Sequence, residues 1–417
     1  MGDPGRAGSP SLRIALVCPY SLSRPGGVQG QVVGLARALG LGGHRVTVFA
    51  PVDPPVDGRP LHPPDIDVVA TGRSVAVPAN GSVAPVSLSP LAAARALRAV
   101  ESVGYDVVHV HEPLAPGLPW AVLVGDDVPP VVATFHRHGS GTAYRLLGPL
   151  ARRAAGRLAV RAAVSRAAAD TVAEVLGGTC EIGFNGIETD LYRNADPWPK
   201  GDRPTVVFLG RHEERKGLAV LLDAFDRMPA SAWCSGVGPG IGSERPQLWI
   251  AGDGPRTAAL QALHPESADI SWLGVLTESE KVRRLAAADV LCAPSLGGES
   301  FGMVILEALA ARTPVVASDI DGYRDAAGGC AVLVAPGDSE ALSAALAGVL
   351  SGRLAVLSDD ADPSDDPDDP DTPSDQGVDP RRRWLAAGAR RAEEWSMERL
   401  AGWYEELYHR AMVGPLS

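Results

Sequence analysis

The sequence predicts an α/β protein made of two doubly wound domains, and three observations lead to that prediction. Short apolar runs, such as residues 12–17 and 45–50, alternate with stretches of helical periodicity, which is the pattern of buried parallel strands joined by helices. The same alternation restarts near Pro204. The chain has 417 residues, and a single domain rarely exceeds about 250. We therefore expect two Rossmann-like domains, each with a ligand crevice at the carboxyl ends of its strands.

The elements follow in order along the chain. A Pro- and Gly-rich loop separates the first strand from a helix over residues 28–39, which Gly42 and Gly43 end. Further strands of the first half are predicted at residues 45–50, 107–110, 131–135 and 161–164. In the second half, the strands TVVFLG, LWIAG, ISWLG, DVLCAP and PVVAS alternate with helices over residues 218–228, 257–263, 278–287 and 302–311.

Composition sets the predicted boundaries. The polar, Pro-rich stretch at residues 194–203 is the predicted interdomain linker. A later segment of Asp, Pro and Ser buries too little apolar surface to offset the entropy cost of ordering it. The predicted parts are a flexible tail (1–11), an N-terminal domain (12–198), a C-terminal domain (199–357), an acidic disordered insertion (358–380) and C-terminal helices that pack on the body (381–417).

Charge and cysteine usage exclude several classes of protein. Ten aspartates between Asp359 and Asp379 carry most of the net charge of −12, so the remaining body is close to neutral and lacks the basic footprint of a nucleic-acid binder. The five cysteines are widely spaced without a C-x-x-C pair, which predicts reduced thiols and a cytoplasmic location. No apolar run reaches the roughly 18 residues of a membrane span.

The most informative motif is the loop and helix start at residues 294–307, PSLGGESFGMVILE. Gly302 begins a helix, and the free backbone N–H groups of a helix start suit a diphosphate. Glu299 and Glu307 bracket seven residues of this motif. Two isolated carboxylates at this spacing are equally well explained by a solvated helix face. Their position in a glycine-rich loop after a strand favours a ligand site.

Cations and glycines lie at other predicted strand ends. In GRHEERKG, Arg211 and Lys216 follow Gly210, and two cations there can neutralise one diphosphate. In the first half, RPGGVQ places Gly26 and Gly27 at a helix start, where backbone can approach a ligand closely.

A histidine follows another strand of the first half. His136 stands in TFH. A lone histidine is more often structural than functional, but the strand end favours a functional one.

Together these motifs resemble the retaining GT-B glycosyltransferases of family 4. The shared strings are PGGVQ, HEP, TFH, FNGIE, GRHEERKG, the two glutamates and TPVVASD. Other strings, CPYSLSRPGGVQ, NGSVA, HEPLAP and LGGESFG, are similar to the phosphatidyl-myo-inositol mannosyltransferases of actinobacteria. The resemblance implies a GT-B fold, in which two Rossmann-like domains face an interdomain cleft. The N-terminal domain would then serve the acceptor and the C-terminal domain the donor.

The resemblance also implies residue roles. Glu299 would hold hydroxyls of the donor sugar, and Glu307 the ribose. Arg211 and Lys216 would bind the diphosphate, with Gly27 beneath the β-phosphate. His136 would lie beside the reacting sugar, and Glu278 would accept from guanine. The implied catalytic residues are His136, Glu299, Arg211 and Lys216; the donor-binding residues are Gly27, Gly210, Glu278, Lys281, Ser300, Phe301, Gly302 and Glu307; the acceptor-binding residues are Tyr20, Gly26, Gln29 and Asn80.

The implied donor is GDP-mannose or another nucleotide sugar. We expect no metal ion and no other cofactor, because cations and helix N–H groups meet the charge of the leaving diphosphate. The acceptor is a lipid or polyol, most simply phosphatidylinositol. Peripheral contact with an anionic membrane at the inner face of the plasma membrane is the matching expectation, and the oligomeric state stays open.

The sequence departs from the lipid mannosyltransferase pattern in two places. Pro85 follows NGSVA where that pattern has an arginine, and the next helix carries only Arg95 and Arg98. These departures weaken the expected attraction to anionic lipid. An alternative basic patch consists of Arg145, Arg152, Arg153, Arg157, Arg161 and Arg166, although such a stretch is more often a solvated helix face.

Other functions remain open from the sequence. A UDP-sugar-dependent transferase that acts on a soluble acceptor would explain Pro85 and the weakly basic helix. A sugar-nucleotide epimerase, or a sensor without turnover, would use the same kind of site. Asp319 and Asp321 imitate an Asp-x-Asp metal site, and Gly252 and Gly254 imitate part of a dinucleotide-binding loop, but neither pattern is complete.

Overall fold

The computed structural model describes residues 10–24, 26–54, 64–79, 82–136, 148–228, 245–299, 301–353 and 379–414. Contacts divide the chain into two compact units. The first unit is Met1–Gly186 together with Met397–Ser417, and the second is Ile187–Ser396. Each unit contains an open parallel sheet, which confirms the prediction of two doubly wound α/β domains.

The elements are numbered in chain order. The strands are β1 (Arg13–Val17), β2 (Arg45–Ala50), β3 (Asp67–Ala70), β4 (Val75–Ala79), β5 (Ser82–Val86), β6 (Val107–His111), β7 (Val131–Phe135), β8 (Leu158–Ala163), β9 (Glu181–Ile182), β10 (Thr205–Leu209), β11 (Gln247–Ala251), β12 (Ile270–Gly274), β13 (Val290–Ala293), β14 (Val315–Ser318) and β15 (Val332–Val334). The helices are α1 (Gly27–Leu41), α2 (Pro90–Ser102), α3 (Leu118–Val124), α4 (Gly148–Ala155), α5 (Arg166–Leu176), α6 (Thr189–Arg193), α7 (Leu218–Asp226), α8 (Thr257–Leu263), α9 (Glu278–Ala287), α10 (Met303–Ala310), α11 (Asp321–Ala327), α12 (Ser339–Leu350), α13 (Pro380–Glu393) and α14 (Met397–Val413).

The first unit is built around a parallel sheet of order β3-β2-β1-β6-β7-β8-β9. Successive side chains of β1 face opposite sides of this sheet. Ile14 and Leu16 pack with residues of α1 and α14, whereas Ala15 and Val17 pack with residues of α2 and α3. Both faces are therefore covered, which explains why residues 14–17 of this strand are all apolar.

The second unit repeats this topology with the order β12-β11-β10-β13-β14-β15. In its central strand β10, Val206 and Phe208 belong to a core with α7 and α12, and Val207 belongs to a core with α9 and α10. In both units the order reverses beside the first strand, so the switch points lie between β1 and β6 and between β10 and β13. Doubly wound sheets bind ligands at the carboxyl ends of the strands at such points.

A small antiparallel hairpin, β4 paired with β5, was not predicted from the sequence. Its strands carry Pro78 and Pro85, and proline weakens a strand pattern. The hairpin is tied to the loop after β1, because the Ser21 N–H donates to the Pro85 carbonyl at 2.9 Å. The acceptor candidate Asn80 lies outside the described residues.

The units divide at other places than the composition suggested. The stretch 194–203, predicted as the linker, lies inside the second unit. Trp198 holds it there: its backbone N–H donates to the Arg283 carbonyl at 2.9 Å, and its ring centroid lies 4.1 Å from the Arg284 guanidinium. Residues 358–378 of the predicted acidic insertion and residues 1–9 of the predicted tail lie outside the described residues.

The predicted C-terminal helices belong to different units. Helix α13 packs on α10 in the second unit, where Gly388 lies against Leu309. Helix α14 belongs to the first unit and packs on α1. The chain therefore returns to its first unit after Ser396.

Candidate functional site

Two loops come together at the switch point of the second unit. Loop 210–217 follows β10, and loop 294–302 follows β13. The N–H of Leu296 donates to the Arg215 carbonyl at 2.7 Å and joins the loops. This is where a doubly wound sheet is expected to bind a ligand.

The close approach of these loops depends on Gly217. Its φ is +69°, a left-handed conformation that favours glycine. A Cβ at this position would collide with the Pro294 carbonyl oxygen. Gly217 therefore fixes how near the cations of the first loop come to the second loop.

Five side chains of these loops form a continuous set of ion pairs, here called the charge network: Arg211, Glu213, Arg215, Glu299 and Lys216. Glu299 Oε1 accepts from Arg215 Nη1 at 2.6 Å and forms an ion pair with Lys216 Nζ at 2.7 Å. Glu213 accepts from Arg211 Nε at 2.6 Å and from Arg215 Nε at 3.0 Å. The sequence-predicted residues Arg211, Lys216 and Glu299 are thus assembled in one place.

The two ends of the charge network differ in exposure. The side chains of Glu299 and Lys216 are 14% and 19% exposed, whereas those of Arg211 and Arg215 are 54% and 46% exposed. Burial alone would raise the pKa of Glu213, but hydrogen bonds and charge from Arg211 and Arg215 hold it below its ordinary value. The network presents three cations against two carboxylates, which suits an anionic ligand.

A buried tyrosine lies beneath the network. Its hydroxyl, on Tyr323, shares a hydrogen bond with the Ser295 hydroxyl at 2.8 Å. Burial first, and the negative charge of Glu299 second, raise the pKa of Tyr323. The phenol therefore stays neutral, and its hydrogen bond to Ser295 supports loop 294–302 from below.

The other predicted residues of the two loops have structural contacts of their own. Gly302 has a φ of +73°, and a Cβ there would lie 2.9 Å from the Gly322 carbonyl oxygen. The Phe301 ring packs edge-on against Trp395, with centroids 5.0 Å apart. Gly210 donates its N–H to the Ala251 carbonyl at 3.1 Å. Ser300 lies outside the described residues.

A second cluster of charges joins α9 to α10. Lys281 Nζ lies 2.9 Å from Glu278 Oε1 and 2.9 Å from Glu307 Oε1. The Tyr192 hydroxyl donates to Glu278 Oε1 at 3.2 Å. Burial would lower the pKa of Lys281, but the two carboxylates raise it. The predicted donor residues Glu278, Lys281 and Glu307 are therefore neighbours, and Tyr192 is a member that the sequence did not reveal.

The glycines of AGDGP serve loop packing. A Cβ on Gly252 would collide with the Gly210 carbonyl oxygen, and a Cβ on Gly254 would lie 2.8 Å from the His212 backbone nitrogen. The His212 N–H donates to the Asp253 carbonyl at 3.1 Å. The loops after β10 and β11 thus support each other, and this contact explains the pair of glycines.

In the first unit, the loop after β1 leads into α1 through Gly26 and Gly27. Gln29 folds back on this loop, where its Nε2 donates to the carbonyls of Ser21 at 3.3 Å and Arg24 at 3.2 Å. A Cβ on Gly26 would collide with the Gln29 amide, whereas a Cβ on Gly27 would meet nothing within 4 Å. Gln29 therefore shapes the loop, and Gly27 leaves open space at the helix start.

Asp53, which the sequence did not single out, anchors the same loop from the end of β2. It accepts from the Ser21 hydroxyl at 2.7 Å, the Ser74 N–H at 2.7 Å and the Ser74 hydroxyl at 2.6 Å. Burial acts against the carboxylate, but these hydrogen bonds lower the pKa of Asp53 overall. Tyr20 pairs with Val86 of the hairpin, so the loop is held on both sides.

Three histidines form a stack at the ends of β6 and β7. The ring centroids of His109 and His111 lie 4.3 Å apart, and those of His111 and His136 lie 5.2 Å apart. His111 Nδ1 and His136 Nε2 share a hydrogen bond of 2.9 Å. The backbone N–H of His136 also donates to Glu112 Oε1 at 2.6 Å. Glu112 has a φ of +48°, an uncommon conformation at a strand end.

The histidine stack is uncharged near neutral pH. Burial lowers the pKa of His136 to about 4 and that of His109 to about 3, and it lowers the pKa of His111 well below its ordinary value. His109 is held by the Tyr408 hydroxyl at 2.8 Å and the Thr134 hydroxyl at 2.7 Å. The predicted residue His136 is therefore a neutral imidazole with a fixed neighbour.

The proposed basic patch is partly structural. Arg152 Nε donates to the Val175 carbonyl at 2.9 Å, and Arg161 donates to the carbonyls of Gly177 at 2.8 Å and Ala155 at 3.0 Å. Arginine at these positions satisfies the free carbonyls of helix ends. Arg145 lies outside the described residues.

Within the described ranges, no helix is long and apolar enough to cross a bilayer. The same ranges contain no group of three or more His, Cys, Asp or Glu side chains that could hold a metal ion. Asp319 and Asp321 of the Asp-x-Asp pattern both bind Arg324, at 2.7 Å and 2.9 Å.

Comparison with known proteins defines the class. Residues 25–191 match the family model described as Glycosyltransferase Family 4, and residues 203–352 match the model described as Glycosyl transferases group 1. A crystal structure of a glycosyltransferase from Rickettsia africae aligns with a TM-score of 0.65 at 15% identity, covering 98% of this chain and 100% of that one. The protein is a glycosyltransferase with the GT-B fold, as the sequence predicted.

Two curated relatives narrow the family. The phosphatidyl-myo-inositol mannosyltransferase of Mycobacterium leprae is 38% identical over 351 residues, covering 81% of this chain and 87% of its own length. The enzyme of the same name from Mycolicibacterium smegmatis is 37% identical over 350 residues, covering 81% and 85%. The chain belongs to this family of glycosyltransferases, which confirms the resemblance read from its motifs.

Proposed function

We propose that this protein transfers mannose from GDP-mannose to the headgroup of phosphatidylinositol, with retention of the anomeric configuration. The mannosyl group and the lipid acceptor are supported by the names of relatives 37–38% identical over 81% of the chain. The observation that carries the donor part is the charge network, which gathers three cations at the switch point of the second unit.

In this proposal the charge network stabilises the leaving group. As the bond from the sugar to the diphosphate breaks, negative charge grows on the phosphate oxygens. Arg211 and Lys216 meet that charge from fixed positions, which lowers the barrier more than flexible or solvated cations would. Their loop is held by Gly217 and by the Leu296 hydrogen bond. We propose that these cations do the work of a metal ion.

The remaining donor contacts follow from the two clusters. Glu299 accepts hydrogen bonds from hydroxyls of mannose. Glu307 binds the ribose, and Glu278 accepts from N1–H and N2–H₂ of guanine. Lys281 lies between these two carboxylates at 2.9 Å from each, so its ammonium group orients both of them.

The first unit serves the acceptor and the reacting sugar. His136 is a neutral imidazole that donates to the sugar without adding positive charge. Tyr20, Gly26, Gln29 and Asn80 contact the acceptor. The acceptor hydroxyl attacks from the face that the diphosphate leaves, and a phosphate oxygen takes its proton. The lipid acceptor places the protein at the inner face of the plasma membrane as a peripheral protein.

A transfer assay tests this proposal. Purified protein is incubated with radiolabelled GDP-mannose and vesicles that contain phosphatidylinositol, and the lipid fraction is counted. We expect labelled lipid that depends on phosphatidylinositol. Label in a soluble acceptor, with none in the lipid, would contradict the acceptor assignment.

A second candidate is transfer from a UDP-sugar to a soluble acceptor. Pro85 in β5 and the presence of only Arg95 and Arg98 as cations of α2 favour it, because both reduce attraction to an anionic headgroup. Thermal unfolding with GDP or UDP separates the candidates, since the nucleotide that binds raises the midpoint. Greater stabilisation by UDP would favour the second candidate.

A further inference from the structure

One carboxylate oxygen of the charge network is shared by two cations. Glu299 Oε1 lies 2.7 Å from Lys216 Nζ and 2.6 Å from Arg215 Nη1. The proposed function assigns Lys216 to the diphosphate and Glu299 to the sugar. A phosphate oxygen that binds Lys216 therefore meets a carboxylate already bound to the same ammonium group, and like charges at such a distance repel each other.

This repulsion acts differently on donor and product. The terminal phosphate of a nucleoside diphosphate is free and ionises a second time with a pKa near 6, whereas in the donor it is esterified to the sugar. The product is thus the more negative ligand. The donor also brings sugar hydroxyls, which can donate to the carboxylate and satisfy it.

We propose that Glu299 sets the preference of the site for the sugar-bearing donor over the nucleoside diphosphate product. Its charge weakens binding of the product, and the hexose hydroxyls of the donor offset this penalty. Arg215 is the positioning residue for this carboxylate. Its side chain is fixed by Glu213 at 3.0 Å, and its carbonyl accepts from Leu296 at 2.7 Å. The inference rests on the proposed placement of the diphosphate at Lys216.

The direct test is Glu299→Gln, which keeps the shape of the side chain and removes its charge. Titration calorimetry measures the affinity for GDP, for GDP-mannose and for inorganic pyrophosphate. We expect GDP and pyrophosphate to bind about tenfold more tightly than in the parent protein. GDP-mannose should bind equally or more weakly, so the ratio of donor to product affinity falls. A structural role alone would not move the ratio in this direction.

The chain offers a matched control on the same loop. Glu214 is 81% exposed and pairs with Arg256 at 3.3 Å, outside the charge network. Glu214→Gln makes the same change in charge, and we expect pyrophosphate affinity within about twofold of the parent value because exposed charges are screened. An equal gain in Glu214→Gln and Glu299→Gln would overturn the proposal.

A second variant keeps the test decisive if Glu299→Gln does not fold. In Arg215→Gln, Lys216 is the one cation of the charge network that still pairs with Glu299, so the negative charge of Glu299 is less compensated. Pyrophosphate should therefore bind several-fold more weakly than in the control Arg256→Gln. Pyrophosphate binding that is unchanged or weaker in Glu299→Gln, or tighter in Arg215→Gln, contradicts the inference.

Other measurements would reveal a failure of the proposed function. In that case UDP would displace GDP from the parent protein, or no mannose would reach phosphatidylinositol. The pyrophosphate comparison between Glu299→Gln and Glu214→Gln uses neither nucleobase nor acceptor. It therefore still decides the role of Glu299.

Discussion

The two units share a sheet topology but carry different chemistry at the carboxyl ends of their central strands. In the second unit, the ends of β10 and β13 hold alternating charges, joined by ion pairs of 2.6–3.0 Å. In the first unit, the ends of β6 and β7 hold a stack of neutral histidines. The same sheet topology therefore carries a charged set of side chains in one unit and an uncharged set in the other. The difference comes from residues at and just after the strand ends: His109 and His111 lie within β6, whereas the charged residues lie in loops that follow β10 and β13.

The largest expected effect is a loss of stability from a backbone change at Gly217, in the loop of the charge network. Gly217→Val places a β-branched residue at a φ of +69° and drives its Cβ into the Pro294 carbonyl. We expect the free energy of unfolding to fall by at least about 3 kcal/mol, measured by urea denaturation.

Gly274→Val is the matched control for this variant. Gly274 has a φ of +65°, but a Cβ there meets nothing within 4 Å. We expect only the strain cost of about 1–2 kcal/mol. Equal losses in the two variants would show that the contact between the loops of the charge network is not tight.

The next effect concerns the histidine stack and pH. The pKa of His136 is about 4 in the folded chain against an ordinary 6.5, so unfolding takes up a proton between these values. Stability is therefore fully present above pH 6.5 and falls as the pH drops towards 4. At pH 5 the loss is roughly 2 kcal/mol for such a histidine.

His136→Gln removes one of these titrating groups. The free energy of unfolding, measured by urea denaturation from pH 7.5 to pH 5, should depend less steeply on pH than in the parent protein. An identical slope in both proteins would mean that His136 is protonated as readily in the folded chain as in the unfolded one.

A smaller effect concerns the loop after β1, to which our proposal assigns the acceptor. Asp53→Asn weakens the bonds from Ser21 and Ser74 that anchor the loop after β1. We expect the free energy of unfolding to fall by about 1 kcal/mol. KM for the acceptor should rise about threefold, with KM for the donor unchanged.

The control for Asp53 is Asp67→Asn. Asp67 accepts from the Thr47 hydroxyl at 2.9 Å on an exposed edge, so its loss removes a similar bond away from the loop. Steady-state kinetics with both substrates varied compares the two proteins. A change in donor KM, rather than acceptor KM, in Asp53→Asn would place the loop on the other substrate.

Much of the fold was predictable because the apolar periodicity of parallel strands is local information. The helices Thr257–Leu263 and Glu278–Ala287 fall at the residues that the pattern predicts. The hairpin was missed because prolines interrupt its strands. The linker was misplaced because Trp198, in a polar stretch, is held by long-range contacts with Arg283 and Arg284.

The candidate site shows the same limit. Motif spacing predicts that Arg211, Lys216 and Glu299 lie together, and they do. Spacing does not tell which cation a carboxylate contacts, and Arg215 rather than Arg211 shares Glu299 with Lys216. Asp53 lies 32 residues from Ser21 in sequence, and only the folded sheet brings them together.

The measurement that tests the account most directly is titration of GDP into the parent protein, Lys216→Met and His136→Gln. Because the diphosphate is assigned to the charged surface, GDP affinity should fall at least about tenfold in Lys216→Met. In His136→Gln it should stay within about twofold, since a neutral imidazole contributes little to binding an anion. Undiminished GDP binding in Lys216→Met, or a loss confined to His136→Gln, would contradict the assignment of the donor to the second unit.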